Sequence, residues 1–319
     1  MRGMRTGLGW LGLALASGAA ILALAAEGGR WNDRLDILTT FAPAYLAGAL
    51  LALILALGGS GVVRRLGLAL GGVAALAAGG LIAPEFLRDA GPVAPRGGPG
   101  EIKVIQFNVW RGNRHLREIV DWLQAENPDV LVLQEVEPPL RDMILHRTHW
   151  NVAGELSSDT IFTHPHYTAM NRPVEKGNLS LTWINGTYPS ASGPFEVVVT
   201  NEGWPTSHRQ AVQSAILVDV VRKLPRERMV LGGDFNSTPW SFRRRREDVA
   251  LGLIRRDRAV ATWPTGHSGP WRWAAPFPFL PIDHIYAGRG WATTSVRRGP
   301  RLGSDHYPLI VTLAPVSRR

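Results

Sequence analysis

Residues 229–241 read MVLGGDFNSTPWS, and this stretch sets the fold of the chain around it. Three apolar residues predict a buried strand, and the two glycines after them allow another backbone or a ligand to come close. Asp234 and Asn236 follow, and residues two apart in an extended chain share one face. The Ser-Thr-Pro run then predicts a turn into a helix-like segment after Trp240. The stretch indicates polar chemistry at a strand end, although an isolated Asp here could equally cap a turn.

The chain has 319 residues, a formal net charge of +9 and no cysteine. Its length suits one large domain with an appendage. The lack of cysteine excludes disulfides and thiolate metal sites. The positive charge favours anionic partners weakly and is equally compatible with ordinary solubility.

Three apolar stretches without charged residues lie near the N-terminus, at about residues 6–26, 37–60 and 66–84. Each is long enough to cross a hydrocarbon core, which requires about 20 apolar residues. Soluble helices usually carry a polar face, so a buried helical bundle is the less favoured alternative. We therefore predict a transmembrane region at residues 1–88, followed at 89–100 by a linker rich in glycine and proline.

Positive charges in short loops predict the orientation of these spans. Arg2 and Arg5 precede the first span, and Arg64 and Arg65 separate the second from the third, which places both segments in the cytoplasm. The loop between the first two spans and everything after the third span then lie on the far side. We expect a multi-pass protein of the inner (plasma) membrane whose C-terminal domain is periplasmic or extracellular. Residues 23–25 also resemble a signal-peptide cleavage site, and removal of the first span would leave that domain on the same side.

Residues 101–319 alternate short apolar strands with amphipathic helices, which predicts an α/β domain. The expected strands are Ile102–Asn108, Val130–Val136, Leu179–Asn185, Phe195–Thr200, Ile282–Tyr286 and Tyr307–Leu313. The expected helices begin near Leu116 and His208. A Trp- and Pro-rich loop spans residues 262–279. Its aromatic residues could line a substrate mouth, enter the membrane interface or pack on the sheet, and they are Trp263, Trp271, Trp273, Phe277 and Phe279.

Polar residues occur at five predicted strand ends. They are Asn108, Glu135, Asp234 with Asn236, Asp283, and Asp305 with His306. Polar groups in these places weaken packing unless they converge and satisfy one another. Carboxylates and amides form the hard-oxygen ligand set that suits Mg²⁺, Mn²⁺ or Ca²⁺. A histidine beside them adds a group that titrates near neutral pH.

The motifs QE, GDFN, IDH and SDH, in this order, resemble the endonuclease/exonuclease/phosphatase superfamily, which has the deoxyribonuclease-I-like fold. The resemblance covers roughly residues 101–315 and is to a membrane-anchored bacterial type. It implies a four-layer α/β sandwich, with two packed sheets between helices, and metal-dependent hydrolysis of a phosphoester. By likeness, Asn108, Glu135 and Asp305 surround the divalent ion, which is Mg²⁺ or else Mn²⁺ or Ca²⁺.

The same resemblance implies roles for the remaining motif residues. Asp234 and Asn236 would position and activate the attacking water or hold the phosphate, and Asp283 would orient His306. An in-line attack on a phosphoester needs charge neutralisation and an aimed nucleophile, which such residues can provide. The superfamily acts on nucleic acids, lipid headgroups and nucleotides, and the sequence does not choose among these substrates.

One position departs from the superfamily pattern. Members commonly carry a His, or another proton donor, at the end of the strand before the helix at His208, and this chain has Asn201 there. An amide can hydrogen-bond a phosphate but does not donate a proton usefully at neutral pH. Either His208 or His164 takes this role, or water protonates the leaving group, or the enzyme is slow or inactive. An impaired member that binds a phospholigand or a protein is therefore the alternative function.

Two further features have simple structural explanations. The run Arg243–Arg246 is expected to be a solvated, salt-bridged helix face, with contact to an anionic substrate or lipid headgroup as the alternative. His284 is expected to be structural, because its neighbour Asp283 points the other way from the strand.

The orientation can be tested with a reporter that is active only outside the cytoplasm. Fused after Arg319, it should be active, and fused near Arg64, it should be inactive, because the arginine pairs hold their loops inside. The reverse pattern would mean two or four spans and a cytoplasmic C-terminal domain.

Overall fold

The computed structural model describes residues 2–154, 158–170, 174–177, 181–205, 208–266 and 276–316. Trp271, Trp273 and the side chain of His208 lie outside this described part. The chain forms two compact units. The first comprises Met1–Arg88 and Ser237–Arg246, and the second comprises Asp89–Asn236 and Glu247–Arg319.

The first unit is helical. Its helices are α1 (Arg2–Glu27), α2 (Asp33–Asp36), α3 (Ala42–Ala56) and α4 (Gly61–Leu87). In the part of the chain that the structure describes, three segments are long and apolar enough to cross a membrane, and they are Thr6–Arg30, Asp33–Ala56 and Gly61–Leu87. These segments coincide with the three predicted spans, and the second starts a few residues earlier than expected.

Several small residues of these helices are buried together, whereas many of their large apolar residues are exposed. The buried cluster consists of Ala19, Ala20, Ala49 and Ala74. Ile21 and Leu76 are 68% and 80% exposed. Small residues at helix contacts and exposed large apolar side chains are typical of helices in a lipid environment.

The second unit contains twelve strands among the described residues. They are β1 (Ile102–Asn108), β2 (Val130–Gln134), β3 (Asn151–Ala153), β4 (Thr160–Thr163), β5 (Val174–Gly177), β6 (Thr182–Tyr188), β7 (Phe195–Asn201), β8 (Met229–Asp234), β9 (Ile254–Arg255), β10 (Asp283–Ala287), β11 (Trp291–Arg298) and β12 (Leu309–Pro315). The helices are α5 (Leu116–Glu126), α6 (Pro138–Thr148), α7 (His208–Arg222) and α8 (Phe242–Leu251), of which α8 begins within the first unit.

The strands form two six-stranded mixed sheets. One has the order β11-β12-β1-β2-β4-β3 and the other the order β5-β6-β7-β8-β10-β9. The face-to-face core includes Val104 and Val132 from the first sheet and Val197 and Val230 from the second. Gly232 permits this close approach, because a Cβ atom there would lie 2.5 Å from Cγ2 of Val132.

Helices cover the outer face of each sheet. Ile119 of α5 and Leu140 of α6 pack with Phe107 of β1, and Leu217 of α7 packs with Leu231 of β8. The layers therefore follow the order helices, sheet, sheet, helices, which confirms the predicted four-layer α/β sandwich.

Some elements differ from the sequence prediction. Strand β2 ends at Gln134, before the predicted end at Val136, and helix α6 (Pro138–Thr148) was not predicted. Strand β11 was not predicted, because its charged and hydroxyl side chains hide the apolar alternation. The run Arg243–Arg246 is only in part the expected solvated, salt-bridged face. The Arg246 side chain is 53% exposed, and both Arg246 and Arg243 pair with Asp33. Arg244, however, is completely buried, and the Arg243 side chain is only 11% exposed. These arginines pack within the first unit.

His284 is structural, as expected. It is completely buried on β10, and its Nδ1 lies 2.8 Å from Oδ2 of the equally buried Asp257. The other Asp257 oxygen accepts a 3.0 Å hydrogen bond from the Ile285 N–H. This pair therefore fixes β10, the strand that begins with Asp283, against the chain at Asp257.

We predict that His284→Ala destabilises the chain by about 3–5 kcal/mol, because it leaves the Asp257 carboxylate buried without its partner. Thermal unfolding of the full chain in detergent micelles would measure the loss. His115→Ala is the matched control. His115 is exposed and its described ion pair is with exposed Glu118, so this variant should change stability by less than about 0.5 kcal/mol. Equal effects of the two variants would contradict this role of His284.

Candidate active site

The strand register brings the predicted polar residues to one edge of the two sheets. In the first sheet, β1 and β2 run parallel and pair Asn108 with Gln134 at their carboxyl ends. In the second, Asp234 at the end of β8 lies opposite both Asn201 of parallel β7 and Asp283 of antiparallel β10. Carboxyl ends of strands are a common position for ligand sites in α/β folds.

His306 lies between two carboxylates at this edge. Its Nδ1 is 2.8 Å from Oδ2 of Asp283, and its Nε2 is 3.6 Å from Oδ2 of Asp234. All three residues are buried, and Asp283 is completely so. Ser304 holds the His306 backbone, because its Oγ accepts a hydrogen bond from the His306 N–H and donates one to the Asn108 carbonyl.

The carboxylates keep His306 protonated. Burial alone would lower the pKa of His306, but Asp283 and Asp234 outweigh burial and raise that pKa to about 10. Burial raises the pKa of Asp234 to about 7, against the opposing effect of the His306 charge. The group is therefore an imidazolium flanked by two acids at neutral pH.

Asp234, Asp283 and His306 bring ligand atoms within 4.8 Å of one another, which resembles a metal site. Both ring nitrogens of His306 face carboxylate oxygens, at 2.8 Å from Asp283 and 3.6 Å from Asp234, so the same cluster also forms a hydrogen-bonded ion triad.

Asn108 connects this triad to Glu135. Its Nδ2 donates to Oε1 of Glu135 and to Oδ2 of Asp234, both at 3.1 Å. Its Oδ1 accepts a 3.0 Å hydrogen bond from the Trp110 N–H in the loop after β1. The Asn108 amide therefore fixes two carboxylates: that of Glu135, which follows β2 of the first sheet, and that of Asp234, which ends β8 of the second sheet.

Glu135 sits in an unusual backbone conformation. Its φ is 58°, in the left-handed region that costs a non-glycine residue about 1–3 kcal/mol. Its Oε2 accepts a 3.2 Å hydrogen bond from the Arg111 N–H. The sharp bend ends β2 at Gln134, whereas the sequence predicted that the strand continued through Val136.

Asn236 is placed differently from the sequence expectation. It does not share an extended face with Asp234, because its φ is 47° and the chain turns back after β8. The Asn236 N–H donates to Oδ1 of Asp234 at 2.9 Å, and its Nδ2 donates to the Glu202 carbonyl at 2.8 Å. Asp234 therefore both caps this turn and takes part in the triad.

Asp305 offers the clearest observation in favour of a cation. Its Oδ2 accepts a 3.3 Å hydrogen bond from the Trp263 Nε1–H, while its Oδ1 is buried with no hydrogen-bond partner among the described residues. A buried carboxylate oxygen without a donor is unfavourable unless a cation or proton compensates it. Together with the oxygens of Glu135 and Asn108, this donor set fits a hard divalent cation.

Sequence reasoning missed a supporting pair of glutamines. Gln106 and Gln134 are completely buried, and Nε2 of Gln106 donates to Oε1 of Gln134 and to Oδ1 of Asp283, both at 2.7 Å. Both carboxylate oxygens of Asp283 therefore have a partner, Gln106 for Oδ1 and His306 for Oδ2. The available signal was an amide directly next to apolar residues within a buried strand, since such a group needs a buried partner.

Asp159, which is 3% exposed, was also missed. It hydrogen-bonds the side chain of Asn201 and the backbone of Glu135. Burial and then the nearby Glu135 charge raise the pKa of Asp159 to about 7, against the opposing effect of Asn201. Its sequence surroundings gave no signal, because Asp159 lies in a loop far along the chain from both partners.

His164 and His208 are the two histidines that were expected to be able to replace the proton donor missing at Asn201. The His164 N–H donates to the carbonyl of Asp129, which directly precedes β2. His164 therefore lies at the end of the sheet opposite to Glu135, about 16 Å away along the five-residue strand, and it cannot serve this site. The side chain of His208 lies outside the described part of the chain.

Comparisons with known proteins agree with this architecture. No curated protein sequence matches the chain. Among solved structures, the human Nocturnin catalytic domain is 19% identical, with a TM-score of 0.53 over 73% of this chain and 98% of that one. D. rerio TDP2 in complex with a single-strand DNA product is 14% identical, with a TM-score of 0.55 over 67% of this chain and 99% of that one. A Bacteroides thetaiotaomicron mannosyl-6-phosphatase is 15% identical, with a TM-score of 0.53 over 67% and 99%.

At these identities the structural likeness shows the fold alone. The sequence profile of the Endonuclease/Exonuclease/phosphatase family matches residues 105–306, which is more than half of the chain and includes every motif residue described above. The family consists of phosphoester hydrolases. The chain therefore belongs to the endonuclease/exonuclease/phosphatase family.

Proposed function

We propose that the chain is a membrane-anchored, divalent-metal-dependent phosphoesterase that cleaves phosphodiesters or phosphomonoesters. The observation that carries the proposal is the buried His306 imidazole between Asp283 and Asp234, joined through Asn108 to Glu135. A fixed positive charge beside hard-oxygen donors suits a substrate whose reacting group is anionic.

In this proposal, Asp283 acts through His306. The short contact to Nδ1 orients the ring and stabilises its charged form, and Gln106 fixes the other Asp283 oxygen. The Nε2–H side of the imidazolium then stabilises charge that develops on the phosphoryl oxygens, and it can transfer a proton.

Asp234 and Asn236 serve the nucleophile. Burial raises the pKa of Asp234 to about 7, so this carboxyl can accept a proton from an attacking water near neutral pH. Two hydrogen bonds hold the left-handed turn at Asn236: its backbone N–H donates to the Asp234 carboxyl group, and its side-chain amide donates to the Glu202 carbonyl. The Asn236 amide therefore has a fixed position beside the Asp234 carboxyl group. Holding the reacting groups in a fixed geometry supplies much of the rate enhancement in enzymatic phosphoryl transfer.

Asn108, Glu135 and Asp305 would hold the divalent ion, for which Mg²⁺ is the first choice and Mn²⁺ or Ca²⁺ the alternatives. When bound, such an ion neutralises phosphoryl charge and favours ionisation of a coordinated water. Oδ1 of Asp305, which has no hydrogen-bond partner among the described residues, and the carboxylate of Glu135 would supply the negative charge that a divalent ion requires.

The substrate class is open among nucleic acids, lipid headgroups and nucleotides. The apolar N-terminal helices support membrane anchoring. We propose the inner (plasma) membrane as the location, with the catalytic unit on the periplasmic or extracellular side, from the arginine pairs in the sequence. A panel of phosphodiesters and phosphomonoesters, assayed with the full chain in detergent micelles and with Mg²⁺ or Mn²⁺, would distinguish among these substrates.

One observation favours an alternative function. Asn201 stands where family members commonly carry a proton donor, and its side chain hydrogen-bonds Asp159. An impaired site of this kind would bind a phospholigand or a protein without turnover. A chain that binds phosphate with metal but hydrolyses nothing in the panel would support this alternative.

The metal assignment predicts the behaviour of Glu135→Gln. Removal of one ligand charge should abolish hydrolysis or raise the metal concentration for half-maximal activity by at least about tenfold, while the thermal unfolding temperature stays close to that of wild type. Asp305→Asn should behave in the same way. Exposed Glu137 provides the control, because Glu137→Gln should change nothing. Activity that persists in EDTA would refute metal dependence.

The triad predicts that His306→Ala lowers the hydrolysis rate on the order of 10²- to 10⁴-fold, as loss of a charge-stabilising or acid–base group does. If nothing replaces the family's proton donor, Asn201→His should raise the rate, most for substrates with poor leaving groups. If His208 already fills that role, His208→Ala should slow those same substrates and Asn201→His should do little.

A comparison of His306→Ala and Asp234→Ala with wild type on one panel decides between catalysis and binding. Equal and negligible turnover by all three proteins would reject the phosphoesterase in favour of the binding function.

A further inference from the structure

Asp159 and Asn201 connect the two sheets beside the candidate site. Asp159 directly precedes β4, and Asn201 ends β7. Ile161 of β4 and Val199 of β7 belong to the buried cluster between the sheets, and residues two apart along a strand share one face. The side chains of Asp159 and Asn201 hydrogen-bond each other. They therefore continue these two inward-facing rows with a polar bridge where the apolar core ends.

Asp159 also lies beside the metal ligand predicted on the other strand. Strand β4 runs antiparallel to β2, so the residue before β4 is a neighbour of the residue after β2. The Asp159 side chain hydrogen-bonds the backbone of Glu135, and the next N–H along the chain, that of Val136, donates to the Ser158 carbonyl at 2.8 Å. Two successive residues of the bend after β2 are thus held by Ser158 and Asp159.

This bend needs such support because of its conformation. Glu135 has a φ of 58°, and a non-glycine residue keeps a left-handed backbone only when its surroundings hold it there. The direction of the backbone decides where the carboxylate points, which is toward the Asn108 amide and the Arg111 N–H. Without the bond from Asp159, the Glu135 backbone would be free to relax and to turn its carboxylate away from Asn108.

The second partner of Asp159 comes from the other sheet. Asn201 lies opposite Asp234 in the register of β7 and β8, and its side chain holds the buried Asp159, which is 3% exposed. A side-chain amide is a neutral donor that suits a buried carboxyl group. This contact gives a structural reason for an amide at the position where family members commonly carry a proton donor.

We infer that Asp159 is a positioning residue for the divalent metal: it holds the Glu135 carboxylate at the ion, and Asn201 holds Asp159. Outer-shell groups of this kind orient the ligands that touch the metal. The inference rests on the proposed function for the metal ligands and not for turnover.

The test measures Mn²⁺ binding to the full chain in detergent micelles, without substrate, by electron paramagnetic resonance. Asp159→Ala should raise the Kd for Mn²⁺ about 10- to 100-fold, as loss of an outer-shell partner does. Asp159→Asn keeps one acceptor oxygen and should lie between Asp159→Ala and wild type. Asp219→Ala is the matched control, because Asp219 is exposed and pairs with exposed Lys223, and its Kd should stay within about twofold of wild type.

A second variant removes the other end of the bridge. Asn201→Ala leaves the Asp159 bond to Glu135 in place, so it should raise the Kd for Mn²⁺ by less than Asp159→Ala. The double variant should raise the Kd no more than Asp159→Ala alone, because Asn201 acts through Asp159. Losses that multiply in the double variant would show that Asn201 affects the metal independently, which contradicts the bridge.

Thermal unfolding separates positioning from a loss of folded protein. Binding is measured at a temperature where circular dichroism shows every variant to be folded. A purely structural role of Asp159 would lower the unfolding temperature and leave the Kd of the folded protein at the wild-type value. A raised Kd in folded Asp159→Ala supports the positioning role.

The outcomes also distinguish this inference from the proposed function. If wild type binds Mn²⁺ but hydrolyses no phosphoester, the proposed function fails, and a raised Kd in Asp159→Ala still supports the positioning role. If wild type hydrolyses phosphoesters and Asp159→Ala binds Mn²⁺ as wild type does, or if Asp219→Ala causes an equal loss, the positioning role is wrong. Wild type that binds no Mn²⁺ would overturn both the metal site and this inference.

Discussion

The active-site edge depends on one buried ionic contact, that between His306 and Asp283. Asp283 and Asp234 lie directly opposite each other in the register of β8 and β10. Two buried carboxylates in this position would repel each other, and neither could stay ionised without a cation nearby. The His306 imidazolium supplies that charge, and its side chain reaches across from the loop before β12, in the other sheet. The ion triad thus couples the two sheets where substrate would meet them.

This coupling explains the unusual polar groups around it. Gln106 lies in β1 between the completely buried Ile105 and Phe107, and it donates to the second Asp283 oxygen. The side-chain amide of Asn108 donates hydrogen bonds to both Glu135 and Asp234. Left-handed residues at Glu135 and Asn236 flank the same edge. Buried polar networks of this kind contribute specificity of position more than net stability, which suits a site for positioned chemistry.

Much of the fold could be predicted from the sequence, because apolar strands and amphipathic helices leave periodic patterns. The strands at Ile102–Asn108 and Met229–Asp234 and the helix at Leu116 follow such patterns. The motif residues at strand ends were also visible, since short polar residues after apolar runs stand out. What the sequence could not provide was pairing over long separations, such as Asp159 with Asn201 or Asp36 with Ser241. The reversal of the chain at Asn236 was missed for a local reason, because an extended backbone was assumed beyond the strand.

We propose that Asp283 acts through His306 and that the two residues form one functional unit. A double-mutant cycle on phosphodiester hydrolysis, with Asp283→Asn, His306→Ala and the double variant in the full chain, tests this claim most directly. We expect each single variant to lose nearly the same rate factor and the double variant to lose no more than either, because groups that act together are non-additive. Rate losses that multiply in the double variant would show that the two residues act independently and would contradict the account.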